Sequence, residues 1–291
     1  MGKLIVLNQT NIVTDGTNSR FIYTFPNGGY IFKDDLIAVQ SISQYYSAFN
    51  ISASYGNNFY VYKWVNGTNY GLYFPDGYYT LADINAYIQS VMVMNKHYLI
   101  NNTTGGNVYF MNWSINQSKY VYQLSVYPTT TTLYPIGVGA GTYAYPAGAT
   151  WTLNNIAPLA DIRSKFNELV GFAVGLYPPS LQVLALSFLS TTAPQIVPSP
   201  TILMYCSLVN NRAIIPNSLI FAYTPSGVKF GEIQTYEPTA ELPWCRVMDG
   251  NYNQFLIEFR DQFGRELQFQ DPNTTIILHT KNINDYGEKN I

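Results

Sequence analysis

The chain contains two histidines, His97 and His279, and two cysteines, Cys206 and Cys245, and these limit what chemistry it could perform. Neither histidine has a second His, Cys or carboxylate at metal-ligand spacing. The two thiols lack CxxC spacing and sit in apolar text. They read as buried free cysteines that act as small hydrophobes, which fits a reducing compartment. No GxSxG is present, and Ser180 and Ser187 lie in apolar strand text, so a Ser-His-Asp site would lack its positioned base. The stretch Gly137-Val-Gly-Ala-Gly141 is glycine-rich but has neither the Lys nor the following helix of a phosphate loop. Asp261, Glu266 and Asp271 could gather around a cation. Asp261-Gln-Phe-Gly264 reads better as a β-turn with Asp first and Gly last. The expectation is a protein that is not an enzyme and uses no cofactor or metal.

What the chain has in abundance is contact chemistry. Of its 291 residues 16% are aromatic, 26 of them Tyr, while only 11% are charged, less than half the usual share. A surface of Tyr, Asn, Thr and Ser in place of Lys and Glu suits a protein that is covered by copies of itself or by partners. The net charge of −2, with Lys and Arg scattered singly, gives no electrostatic footing for nucleic acid. The candidate contact residues are Tyr134, Tyr143, Tyr145 and Trp151, in a Thr-, Gly-, Tyr- and Pro-rich loop region at 128–158, together with Trp244 and Phe263.

The elements that must carry these residues repeat mainly with period two. Leu36 to Tyr46 alternates as a long strand. Phe59 to Val65 and Tyr70 to Phe74 form a hairpin across Asn66-Gly67, whose residues supply positive φ angles. Val108 to Trp113 pairs with Tyr120 to Tyr127. Ile202–Val209, Leu219–Thr224, Gln254–Arg260, Arg265–Phe269 and Thr275–Thr280 read as further strands, each bounded by turn residues, in the manner of an all-β sandwich. One segment differs: Thr80-Leu-Ala-Asp83 is a capping-box-like start, followed by Leu81, Ile84, Ile88, Val91 and Met92 on one helical face and ending near Asn95. Asp161 to Leu169 is a shorter helix candidate with Ile162, Phe166, Leu169 and Val170 as its apolar face. The most apolar stretch, Leu169 to Leu189, is split by Pro178-Pro179 and reads as buried core or an assembly contact, not a transmembrane segment. At the start of the chain, Met1 to Leu7 is too short for a signal-peptide core. Val6 stands where a myristoylation motif wants Ser or Thr. The expected organisation is an N-terminal arm at 1–20, a β domain at 21–281 with a Pro-rich segment at 194–200, and a C-terminal tail at 282–291. The arms would order on contact with neighbours.

Several of these segments resemble a known family. Asp34-Asp35-Leu-Ile-Ala-Val-Gln-Ser-Ile-Ser-Gln-Tyr-Tyr46, Phe74-Pro-Asp-Gly-Tyr-Tyr79 leading into Asp83-Ile-Asn-Ala-Tyr-Ile88, and Phe259-Arg-Asp-Gln-Phe-Gly264 with Asp271-Pro272 are similar to the penton (minor capsid) proteins of virophages and Polinton-like viruses. The resemblance is densest over 30–110 and 255–281 and does not extend to 128–200. It implies a single jelly-roll β-sandwich with Greek-key sheets. The family's protein is a virion protein assembled as a homopentamer at the fivefold vertices of an icosahedral capsid, against trimers of a double jelly-roll major capsid protein. The alternative from composition is a carbohydrate- or receptor-binding β-sandwich, lectin-like or a spike head, in which Tyr and Trp stack on sugar rings and Asn bonds their hydroxyls.

Overall fold

Period-two text becomes antiparallel strand along most of the chain in the computed structural model, which describes residues 2–194, 201–210, 218–225, 227–238 and 241–286. Residues 195–200 of the expected Pro-rich segment and 287–291 of the expected tail lie outside the described residues. The chain divides into two compact units, Met1–Phe49 with Val197–Ile291, and Asn50–Ile196. Within the span 21–281 read as one domain, Asn50–Ile196 forms a second unit with its own core.

In chain order the first unit contributes β1 (Lys3–Leu7), β2 (Arg20–Thr24), β3 (Tyr30–Phe32) and β4 (Asp35–Tyr45). The second unit follows with β5 (Phe59–Lys63), β6 (Asn69–Tyr73), α1 (Leu81–Met94), β7 (Leu99–Asn101), β8 (Asn107–Val108), β9 (Met111–Asn116) and β10 (Val121–Val126). It continues through β11 (Tyr143–Ala144), β12 (Leu159–Ile162), α2 (Phe166–Val170), β13 (Gly175–Tyr177) and β14 (Leu186–Leu189). The chain then returns to the first unit with β15 (Ile202–Cys206), β16 (Leu219–Tyr223), β17 (Ile233–Tyr236), β18 (Cys245–Arg246), β19 (Gly250–Tyr252), β20 (Gln254–Arg260) and β21 (Thr274–Asn282).

The first unit is an eight-stranded jelly roll. Its sheets run β1-β21-β4-β17 and β2-β20-β15-β16, with β18 pairing further along β4 and β3 pairing with β19. Numbering the eight main strands along this unit alone, the sheets read first-eighth-third-sixth and second-seventh-fourth-fifth, which is the double Greek key. The core lies between them, with Ile37, Val39 and Ile42 of β4 and Ile276 and Leu278 of β21 facing Phe255, Ile257 and Phe259 of β20.

The long strand β4 does not alternate uniformly. Ile37 and Val39 are buried before Gln40, Ile42 and Gln44 after it. Ile277 faces Ser41 while Leu278 faces Val39, so Gln40 is an extra residue, a β-bulge that shifts the inward phase by one. Without the bulge a strict two-residue period would turn half of this strand's apolar side chains away from the core.

The N-terminal arm expected over 1–20 is corrected at its start. Lys3–Leu7 pairs residue by residue with β21, from Lys3 opposite Thr280 to Leu7 opposite Ile276, and buries Ile5 and Leu7. Two inward aliphatics with period two are sufficient for an edge strand once a partner edge exists.

The second unit holds three small sheets, β13-β12-β5-β6, β14-β10-β9 and β11-β7-β8, around an aromatic core with Tyr60, Tyr62, Trp64, Phe74 and Phe166. The capping box on α1 forms as the sequence predicts. Thr80 Oγ1 accepts from Asp83 N at 3.2 Å and Asp83 Oδ2 from Thr80 N at 2.9 Å, and the same five apolar residues are buried. The hairpin of β5 and β6 also forms, with Gly67 at φ +86°. Two expectations are corrected. Asp161 to Leu169 is not one helix: Leu159–Ile162 is a strand between β5 and β13, and only Phe166–Val170 is helical, after Lys165 at φ +73°. Strand pairing on both sides outweighs the local 3.6-residue pattern. Arg265–Phe269 makes only isolated bridges, through Glu266 and Phe269, because the turn before it is latched by Asp261.

Candidate functional site

His97, one of the two histidines, is held inside the second unit. α1 ends at the cap Asn95, and Lys96, at φ +60°, takes the left-handed position that usually belongs to glycine. Lys96 N donates to Val93 O at 3.0 Å and His97 N to Met92 O at 2.8 Å, a Schellman ending that delivers His97 directly into the core. There the imidazole stacks on Trp64, meets Tyr70 edge-on and pairs through Nδ1 with the Tyr62 hydroxyl at 2.9 Å. Burial holds its pKa down to about 4. A neutral imidazole surrounded by aromatic rings fills the core and has no reacting group beside it.

The thiols are equally inert. Burial pushes Cys206 up to about 12 and also raises Cys245, so neither supplies a thiolate near neutral pH. Ser187 Oγ meets Ser125 Oγ at 2.8 Å, and Ser180 Oγ accepts from Gln182 Nε2 at 3.1 Å. The glycine-rich stretch is bonded to the turn between β7 and β8: Gly141 N donates to Thr103 Oγ1 at 2.8 Å, and Asn102 Nδ2 to Gly137 O at 2.9 Å. Among the described residues no group of three His, Cys, Asp or Glu side chains could hold a metal ion. An open groove of about 480 Å³ on the first unit is lined by Gln40, Ser41, Glu237, Leu242, Ile277 and His279.

Of the predicted contact residues, four come together in the loop region 128–158, and they face inward. Trp151 is only 6% exposed, donates from Nε1 to Lys96 O at 2.6 Å, and stands edge-on to Trp64, Phe110 and Tyr145. Tyr145 Oη accepts from Leu153 N at 2.9 Å. Tyr134, half-buried, packs edge-on against Phe110 and Tyr143, and Tyr143 pairs in β11 with Asn101. Trp151 is thus corrected from surface to core: a large ring with an indole N–H finds both apolar cover and a carbonyl there. The large apolar side chains that this loop does expose are aliphatic, namely Leu133, Ile136 and Val138, among exposed Thr, Gly and Asn. The signal for them in the sequence is a run of aliphatic residues set between glycines and prolines, where no strand or helix period can turn them inward.

The other two lie in the first unit. Phe263 is 64% exposed at the tip of the Asp261–Gly264 turn, which forms as the sequence predicts, with Gly264 N donating to Asp261 O at 3.0 Å. The buried Asp261 carboxylate holds this tip rigidly, accepting from Phe263 N at 2.8 Å, Arg265 N at 2.9 Å and Arg265 Nε at 2.7 Å. Trp244 is half-buried beside His279, and the Lys281 ammonium lies 3.8 Å from its ring centroid. The sequence gives no sign of a charged clamp beside the turn. Arg20 lies 3.2 Å from Asp15, 3.3 Å from Glu258 and 3.9 Å from Glu266, joining residues far apart in the chain.

Among the described residues no helix is long and apolar enough to cross a membrane. No protein-family model matches the chain, and no curated protein matches it. In structure the chain is similar to the penton protein of mavirus, a virophage, as seen in its crystal structure. The likeness covers 97% of this chain and 99% of that one at 11% identity, with a TM-score of 0.45.

Proposed function

We propose that this chain is a structural virion protein, a penton subunit that forms homopentamers at the fivefold vertices of an icosahedral capsid and contacts a double jelly-roll major capsid protein. The observation that carries the reading is the first unit's strand order, a complete jelly roll in a chain with so few surface charges. The strand and helix motifs quoted above support it, since they lie in β4, in α1 and in the β20 turn. A cyclic ring needs two different walls on each subunit, each meeting the other on its neighbour. Phe263 and Trp244 are proposed as contact residues of the jelly roll, because both are accessible aromatics held by rigid neighbours.

The test is the mass of the purified chain by light scattering, with images of the same peak, followed by co-assembly with the major capsid protein. Five chains of 32.8 kDa would give about 164 kDa. Rings of that mass that enter shells are expected; shells that close without the chain would overturn the reading. A second reading, a glycan- or receptor-binding head, rests on the second unit. Its Tyr120 stands 87% exposed after β9, a ring on which a sugar could stack. Glycan-array binding that is lost in Tyr120→Ser would favour it.

A further inference from the structure

The core of the jelly roll carries a row of polar side chains. On three neighbouring strands of one sheet, Gln234 of β17 lies opposite Gln44 of β4, and Gln44 lies opposite Thr274 of β21. All three are buried, Gln44 to 2% exposure and Gln234 to 8%. From the other sheet the buried Tyr223 of β16 reaches this row, its Oη accepting a hydrogen bond from Gln44 Nε2. That bond holds one end of the Gln44 amide. The other end, Oε1, and the Oε1 of Gln234 are both shut off from solvent, and neither has a hydrogen-bond partner among the described residues.

Two amide oxygens only accept, so they cannot satisfy each other. Buried polar atoms in folded proteins nearly always find a partner, and this pair therefore needs a donor between them. Directly opposed residues of an antiparallel pair have Cβ atoms about 5 Å apart, which brings both amides within reach of one small molecule. That molecule must be neutral. The two glutamines and Thr274 carry no charge, and burial raises the Tyr223 pKa, so its hydroxyl stays protonated. A divalent cation would also require about six or more oxygen ligands, which is more than these four side chains offer.

We propose that Gln44 and Gln234 form a binding site for one internal water molecule, which donates one hydrogen to Gln44 Oε1 and the other to Gln234 Oε1. The site joins an edge strand to the core. Of the four residues of β17 only Gln234 is buried, while Ile233 stands 57% exposed. Through the water, the inward side chain of β17 is linked to Gln44, and through Gln44 to Tyr223 in the opposite sheet.

The experiment is oxygen-17 magnetic relaxation dispersion, which counts water molecules held inside a protein for longer than it tumbles, on the full-length wild type, Gln44→Met and Gln234→Met. Methionine keeps the length of the side chain and removes the acceptor, and thermal unfolding checks that each variant is folded. Each variant should lose one long-lived water relative to the wild type. A count unchanged in either variant would overturn the site. A crystal structure of the wild type decides the matter even where a variant fails to fold. One water about 2.8 Å from both oxygens is expected. A Gln44 amide turned so that its Nε2 donates directly to Gln234 Oε1, with no water between, would overturn the proposal.

Discussion

His97 lies face to face on Trp64, ring centroids 4.2 Å apart and planes within 9° of parallel. The stack ties the end of α1 to the β5–β6 hairpin of the second unit, and burial there disfavours the charged imidazole. Burial lowers the His97 pKa from 6.5 to about 4, so the unfolded chain binds this proton more tightly than the folded one. The stabilisation is fully present above pH 6.5 and is lost as the pH falls toward 4, amounting to about 3 kcal/mol. Denaturant unfolding followed by tryptophan fluorescence should show the midpoint falling across that window. In His97→Phe the fall between pH 6.5 and 4 should be mostly absent; an unchanged slope would remove His97 as its source.

Lys96 holds the left-handed position of the Schellman ending with a side chain where glycine costs nothing. Lys96→Gly is expected to stabilise the protein by about 0.5–1 kcal/mol, and Lys96→Val to destabilise it by more. The comparison of the two midpoints checks the backbone argument, since both variants lose the same charge.

Removal of residues 1–8 should cost stability. Ile5 and Leu7 are buried against the jelly-roll core, and burial of each contributes about 1.5–3 kcal/mol. The truncated chain should unfold at a lower denaturant concentration by about 3 kcal/mol or more. Hydrogen exchange should also speed up at the β21 amides that β1 protects. Wild-type stability in the truncated chain would mean that β1 behaves as the free arm suggested by its sequence.

Asp261 accepts three hydrogen bonds while buried, and Asp261→Ala removes all three, from Phe263 N, Arg265 N and Arg265 Nε. A loss of about 2 kcal/mol is expected. Limited proteolysis after Phe263 or Arg265 should appear in the variant and not in the wild type, since the turn would no longer be held.

The sequence alone determined the features whose causes lie within a few residues. The α1 capping box joins Thr80 to Asp83, the hairpin turns at Gly67, and the Asp261–Gly264 turn closes over four residues. Strand text over Leu36–Tyr46 and Gln254–Arg260 became β4 and β20 because side-chain alternation is a property of the strand itself. Only the tertiary structure decided what those strands pair with. Lys3 meets Thr280, and β4 runs against β21, partners separated by most of the chain and carrying no mark of one another. The same holds for the bulge at Gln40, which exists because β21 keeps its phase while β4 must change. Asp161 and Ile162 sit in a strand although their spacing suits a helix, because β5 and β13 supply partners on both sides. Trp151 shows the limit most plainly. Its residue type suits either an interface or a core, and the choice was made by Lys96 O, Trp64 and Phe110, which the fold brings to it from far along the chain. Burial is a sum over neighbours, and neighbours are assigned by topology.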